Sequence, residues 1–140
     1  MLVDQEIYMK IVSAAIIIEG DTVLVAKRSL GESLEGYWEF PGGKQEKGES
    51  IQACLERELL EEMGITIKAE KVFTESIYNY KMGSIKLIAV FAKIVEGMVS
   101  LTVHDEIAWQ PIEKLSNLNL APADIPIAKL LMEEKKNEYL

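Results

Sequence analysis

The chain has one cysteine and one histidine in 140 residues, and each scarcity removes a kind of chemistry. Cys54 alone cannot close an internal disulfide, and a zinc centre built on nitrogen and sulfur ligands has too few of either. Basic charge is also in deficit, with 15 Lys and Arg against 23 Asp and Glu for a net charge of −8. Polymeric nucleic acid and anionic membrane both demand a basic face, so neither is expected as a partner. The sequence shows no low-complexity run, no repeat, no signal-peptide pattern and no apolar stretch long enough to cross a bilayer. A cytoplasmic protein is expected, folded as a single domain over residues 1–140 and acting as a monomer or homodimer.

What is present concentrates in residues 42–65, GGKQEKGESIQACLERELLEEMGI. Gly42 and Gly43 allow positive φ or a close backbone approach to a ligand. Ser50 caps a helix that runs to Met63, where Gly64 stops it. At about 100° per residue, Glu58, Glu61 and Glu62 project from one side of this helix, together with Ile51, Cys54 and Leu55. Carboxylates at that spacing repel unless a cation lies between them, and an all-oxygen donor set suits a hard ion, Mg²⁺ or Mn²⁺. The competing reading is a solvated helix whose Arg57–Glu61 pair is an ordinary surface ion pair.

The rest of the chain reads as strands around this helix. Residues 11–18 are a continuous apolar run that predicts a buried strand, turning at residues 19–21 into a second strand over 22–27 to make a hairpin. Tyr37, Trp38 and Phe40 arrive just ahead of the glycines as a candidate aromatic wall, with Trp38 preferred for ligand contact over plain core packing. Residues 67–80 and 85–95 predict a second hairpin turning at 81–84, and residues 101–109 an edge strand interrupted at His104, Asp105 and Glu106. Residues 111–115 suit one helical turn. A last helix over residues 123–136 starts near Asp124 or Ile125 and packs through Ile127, Leu130 and Leu131. Such an order predicts an α/β/α sandwich, a mixed β-sheet between helices.

Residues 43–65 also carry a resemblance. Gly43, five residues, Glu49, seven residues, Arg57-Glu58-Leu59, one residue, Glu61-Glu62, one residue, Gly64 and Ile65 match every fixed position of the box of the Nudix hydrolase superfamily. The resemblance implies the same sandwich and a metal-dependent cleavage of a nucleoside diphosphate linkage. It implies Glu58, Glu61 and Glu62 as metal ligands with the Gly42 carbonyl, Glu58 also as candidate base, and Arg57 held by Glu49 to orient the acids. Lys44 suits a phosphate contact, and Arg28 lies where MutT-like relatives meet the nucleotide. EFPGGK and LAPADIP resemble the MutT-type nucleoside triphosphate pyrophosphohydrolases, the latter the CTP pyrophosphohydrolase branch.

MutT-like enzymes for oxidised guanine nucleotides carry asparagine at the position of Asp124. An ionised carboxylate only accepts hydrogen bonds and suits the amino group of cytosine, whereas a protonated one also donates and admits altered purines. Helix capping is the other role open to Asp124. Relatives also place a glutamate where this chain has Val103, leaving Asp105 or Glu106 as replacements, while His104 reads as a bonded loop residue. The expected reaction takes CTP, dCTP or a modified pyrimidine nucleotide to monophosphate and pyrophosphate. Oxidised purine nucleotides are the alternative substrate, dinucleotides or ADP-ribose rank lower, and a non-catalytic nucleotide sensor is the alternative of another class.

Overall fold

The computed structural model describes residues 9–81, 83–98 and 104–140. Among the described residues seven strands form two sheets, with β1 Lys10–Ile16, β2 Ile18–Glu19, β3 Thr22–Arg28, β4 Trp38–Glu39, β5 Thr66–Tyr80, β6 Gly83–Glu96 and β7 His104–Pro111. The helices are α1, Ile51–Met63, and α2, Ile125–Lys136, with 3-10 turns at Ile112–Asn117 and Pro122–Asp124. One sheet runs β1-β6-β5, with β1 parallel to β6 and β5 antiparallel to it. The other is centred on β3, flanked by β2 and β4 on one edge and by antiparallel β7 on the other.

Alternation along β1 and β3 builds two cores from one middle layer. Ala14, Ile16, Val23 and Val25 face α2, where Ile127, Ala128 and Leu131 are buried. Ala15, Ile17, Leu24 and Ala26 face α1, where Leu55, Leu59 and Met63 are buried. The fold is the expected α/β/α arrangement. Each of the three α1 side chains contributes about 1.5–3 kcal/mol by leaving water, enough to hold a charged helix against the sheet.

Several expectations need correction. The first hairpin shrinks to two residues per strand, Ile18 on Val23 and Glu19 on Thr22. The run before it bonds instead to β6, Lys10 opposite Ile85 through Ile16 opposite Phe91. A strand that is apolar on both faces suits such a parallel, doubly covered position. The polar trio at 104–106 belongs to β7 and does interrupt its ladder, since Glu106 lies opposite Lys27 and His104 opposite Arg28 with Asp105 the extra residue between them, while residues 101–103 fall outside the described part. Leu130 lies at the margin of the α2 contact, and Ala128 takes its place in the core.

Candidate active site

Helix α1 begins and ends as its sequence predicts. Ser50 accepts a hydrogen bond from the Ala53 N–H at 3.0 Å. Gly64 stops the helix at φ 67°, its N–H donating to the Leu60 carbonyl. That phase buries Cys54, Leu55, Leu59 and Met63, turns Glu58 and Glu62 along the sheet and leaves Glu61 outside. Arg57 fixes the helix to the loop before it. Its Nη2 donates to Glu49 at 2.7 Å and to the Lys44 carbonyl at 3.1 Å, and Nη1 donates to Glu58 at 2.9 Å and Glu61 at 3.3 Å. Hydrogen bonding from Arg57 holds the Glu49 carboxyl down at about 2, so this anchor stays ionised.

The glycine turn is set by close approach, not by positive φ, which neither Gly42 nor Gly43 adopts. The Gly43 carbonyl accepts from the Ser13 N–H at 2.8 Å, the Ser13 hydroxyl at 3.0 Å and the Cys54 thiol at 3.5 Å. Ala15 N–H bonds the Pro41 carbonyl at 2.7 Å, and Gln45 N–H bonds the Ile11 carbonyl at 2.9 Å. Residues 41–45 therefore run along the outer edge of β1 like an additional strand. A Cβ on Gly43 would overlap the Glu58 carboxyl, and one on Gly42 would overlap the Ser13 carbonyl.

Against this turn lies a cleft of about 390 Å³. Glu58, Glu62, Glu39 and the glycines line one end, and Phe40, Tyr80, Leu87 and Asp124 line the other. Lys10, Ser33, Leu34, Tyr80 and Ile85 continue into a more apolar hollow of about 540 Å³. Burial, the Glu58 charge, a hydrogen bond donated to Glu58 and the Glu39 charge together push the Glu62 carboxyl up to about 8. So much acid at one point is what a divalent cation relieves, and the donors are all oxygen, so the residues fit a hard ion. Glu58, Glu62 and Gly42 line the cleft together and could hold one, although the described side chains do not themselves close into a group of three or more acidic, histidine or cysteine ligands.

A prediction follows from the sign of that shift. A carboxyl raised in the fold from 4.5 to about 8 contributes stability below its unfolded value and loses it as pH rises through about 8. Metal-free protein should therefore melt lower as pH rises, while Glu62→Gln, permanently neutral, should flatten that decline. Mg²⁺ should raise the melting temperature of the parent most at the alkaline end and do little for the variant. Thermal melts across pH with and without Mg²⁺ check this, and equal metal stabilisation in both proteins would remove Glu62 from the ligand set.

Asp124 is 5% exposed and starts α2 without capping it, since its side chain makes no cap hydrogen bond. Oδ2 accepts instead from the Phe40 N–H at 2.9 Å. Burial, then the Glu39 charge, raise its carboxyl well above the ordinary range. What carries it there is a backbone splice, in which Trp38 N–H bonds the Asn119 carbonyl and Ala121 N–H bonds the Trp38 carbonyl, both at 2.9 Å.

Of the residues singled out in the sequence, the cleft gathers Arg28, Phe40, Gly42, Lys44, Glu58, Glu62 and Asp124. Trp38 is corrected: it packs on the α2-side core and is not among the lining residues. Glu61 is also absent from the lining, because its (i, i+4) pairing with Arg57 draws it outward with 60% of its side chain exposed. Arg57 acts from behind the wall. Glu106 pairs with Lys27 at 3.5 Å away from the cleft, while Val103 and the side chains of His104 and Asp105 lie outside the described residues. Glu39 and Tyr80 are among the lining residues that the sequence did not single out. Glu39 meets Arg28 Nη1 at 3.5 Å, and the Tyr80 hydroxyl accepts from the Ala123 N–H at 3.1 Å.

A carboxylate cluster facing a cleft can receive a polyphosphate only with a cation between them, the arrangement that metal-assisted hydrolysis of a phosphoanhydride calls for. The NUDIX domain family matches residues 9–131, and the chain belongs to that family. It is 34% identical over 119 residues to the putative 8-oxo-dGTP diphosphatase 2 of Mycobacterium tuberculosis, covering 82% of each chain. It is 34% identical over 121 residues to the CTP pyrophosphohydrolase of Escherichia coli K12, covering 86% of this chain and 90% of that one. The crystal structure of the MutT protein from Methanosarcina mazei Go1 matches with a TM-score of 0.82 at 26% identity, over 91% of this chain and 96% of that one. No described helix is long and apolar enough to span a membrane.

Proposed function

We propose that this protein hydrolyses a nucleoside triphosphate carrying an amino-pyrimidine base, CTP, dCTP or a modified relative, to monophosphate and pyrophosphate with Mg²⁺ or Mn²⁺. The observation that carries a reading of the base is Asp124, buried against the cleft with Oδ2 held by the Phe40 N–H, and the preference for an amino-pyrimidine rests on the LAPADIP segment that this residue belongs to. Burial pushes this carboxyl toward its protonated form, in which the outward hydroxyl both accepts from an exocyclic amino group and donates to a ring nitrogen beside it. Lys44 and Arg28 face the phosphates as cations, Arg28 oriented through Nε by the Ser33 carbonyl at 3.1 Å. A bound divalent ion polarises a phosphoryl oxygen and makes water a usable nucleophile near neutral pH. Glu58, held by Arg57 at 2.9 Å, would take a proton from the attacking water, and Glu62 would share in holding the ion.

A second reading rests on the same hydroxyl, because a donor and acceptor together also match the N7–H and O6 edge of an 8-oxoguanine. Asp124→Asn separates them. With the amide oxygen retained by Phe40, the outward group becomes an NH₂ that only donates, so preference should move from cytosine toward keto-bearing bases. Loss of that acceptor should lower the kcat/KM ratio of dCTP over 8-oxo-dGTP by roughly tenfold to a hundredfold. Melting temperature should stay near the parent, since no helix cap is lost. Pyrophosphate release across canonical and damaged nucleotides gives the ratio, and an unchanged ratio would leave Asp124 without a role in base choice.

A further inference from the structure

A second hollow, about 560 Å³, opens at the far end of the strand pair that bears the cleft. The cleft reaches along β1 to Ser13 and along β6 to Leu87, and the hollow starts at Ile16 and Phe91, three to four residues on and roughly 10–13 Å away. Its floor is apolar, Ile16, Ile18, Phe91 and Ile112, and its rim carries Lys71, Lys93 and Lys135. The lysines converge for separate local reasons. β5 slips register between Ala69 and Val72, and this bulge re-aims Lys71 until its Nζ stands 5.9 Å from the centre of the Phe91 ring. Lys93 follows Phe91 by two residues and shares its face of β6. Lys135, in the last turn of α2, bonds Asp21 at 2.6 Å and closes the wall beside Gly20.

Among the described residues, neither Lys71 nor Lys93 is in an ion pair. With Lys135 taken up by Asp21, the ammonium groups of Lys71 and Lys93 stand over an aromatic floor against the one carboxylate of Glu70 on the same rim, a small excess of positive charge on a chain of net charge −8. The size lies within the range of small-molecule sites, and the pattern asks for a flat, partly apolar body joined to an anionic group. We infer that this hollow is a second ligand site, separate from the cleft, for a nucleoside monophosphate whose ring lies on Phe91 and whose phosphate meets Lys71 and Lys93. The choice of a nucleotide rests on the reaction proposed above, which releases one; the charge and shape of the site do not.

The test is a backbone-amide NMR titration of the full chain with CMP, which reads hollow and cleft separately. Saturable shifts at Lys71, Phe91 and Lys93 are expected. They should weaken by about tenfold or more in a Lys71→Ala, Lys93→Ala double variant whose cleft shifts and melting temperature match the parent. Shifts confined to Phe40, Gly42 and Gly43, or hollow shifts that persist undiminished in the variant, would overturn the site. Equal affinity for pyrophosphate alone would overturn the role of the ring, and equal affinity for uncharged cytidine that of the lysines. Parallel hydrolysis assays keep the two proposals apart, because a chain that binds CMP in the hollow yet spares every triphosphate fails only the first.

Discussion

Gly43→Ala should cut turnover on the order of a hundredfold while leaving the melting temperature within a few degrees of the parent. The added methyl would overlap the Glu58 carboxyl carbon and Oε2, the far end of a flexible side chain, so the fold has an inexpensive way out. Glu58 swings aside, and with it goes the carboxyl that Arg57 holds at 2.9 Å against the glycine turn. Measuring kcat beside a thermal melt separates chemistry from folding. Parental turnover in a folded Gly43→Ala variant would show that Glu58 does not act from the position it occupies here.

Gly42→Ala, one residue earlier, should fail through stability instead. Its Cβ would overlap the Ser13 carbonyl oxygen and stand 3.0 Å from the Ala14 Cα, backbone atoms of a buried strand that cannot rotate away. The loop must leave β1 or β1 must shift, at a cost of about 3 kcal/mol. For a chain of this length that is roughly 10 °C in melting temperature. A variant that melts with the parent would mean that residues 41–45 are not fastened along β1.

Much of this arrangement was legible because it is local. The limits of α1 follow from Ser50 and Gly64, and the contacts among Arg57, Glu49 and Glu58 lie within nine residues of one another. The partner of β1 was not legible, since pairing Lys10 with Ile85 depends on residues far apart that carry no mark of each other. Asp124 illustrates the same limit. Its place before a helix suggests a cap, but its bond to Phe40 spans 84 positions. Glu39 did leave a signal. With Trp38 and Phe40 both packed on the α2-side core, alternation turns the residue between them toward Arg28 and Glu62.

Residues 41–45 are bonded along β1 at Ile11, Ser13 and Ala15, whereas the segment before them is tied mainly to itself, through Glu32 to Ser29, Tyr37 to Leu34 and Gly36 to Arg28. The two stretches therefore differ in how they tolerate a change of length. One residue inserted between Pro41 and Gln45 would put the loop out of step with the strand and carry the Gly43 carbonyl away from its three donors. The same insertion between Ser29 and Gly36 would enlarge a closed excursion that borders the cleft through Ser33 and Leu34 and touches the frame at Arg28, whose Nε donates to the Ser33 carbonyl. A splice in residues 29–36 that keeps Ser33 on Arg28 is therefore the change of length expected to alter which substrates enter while the acids stay in place.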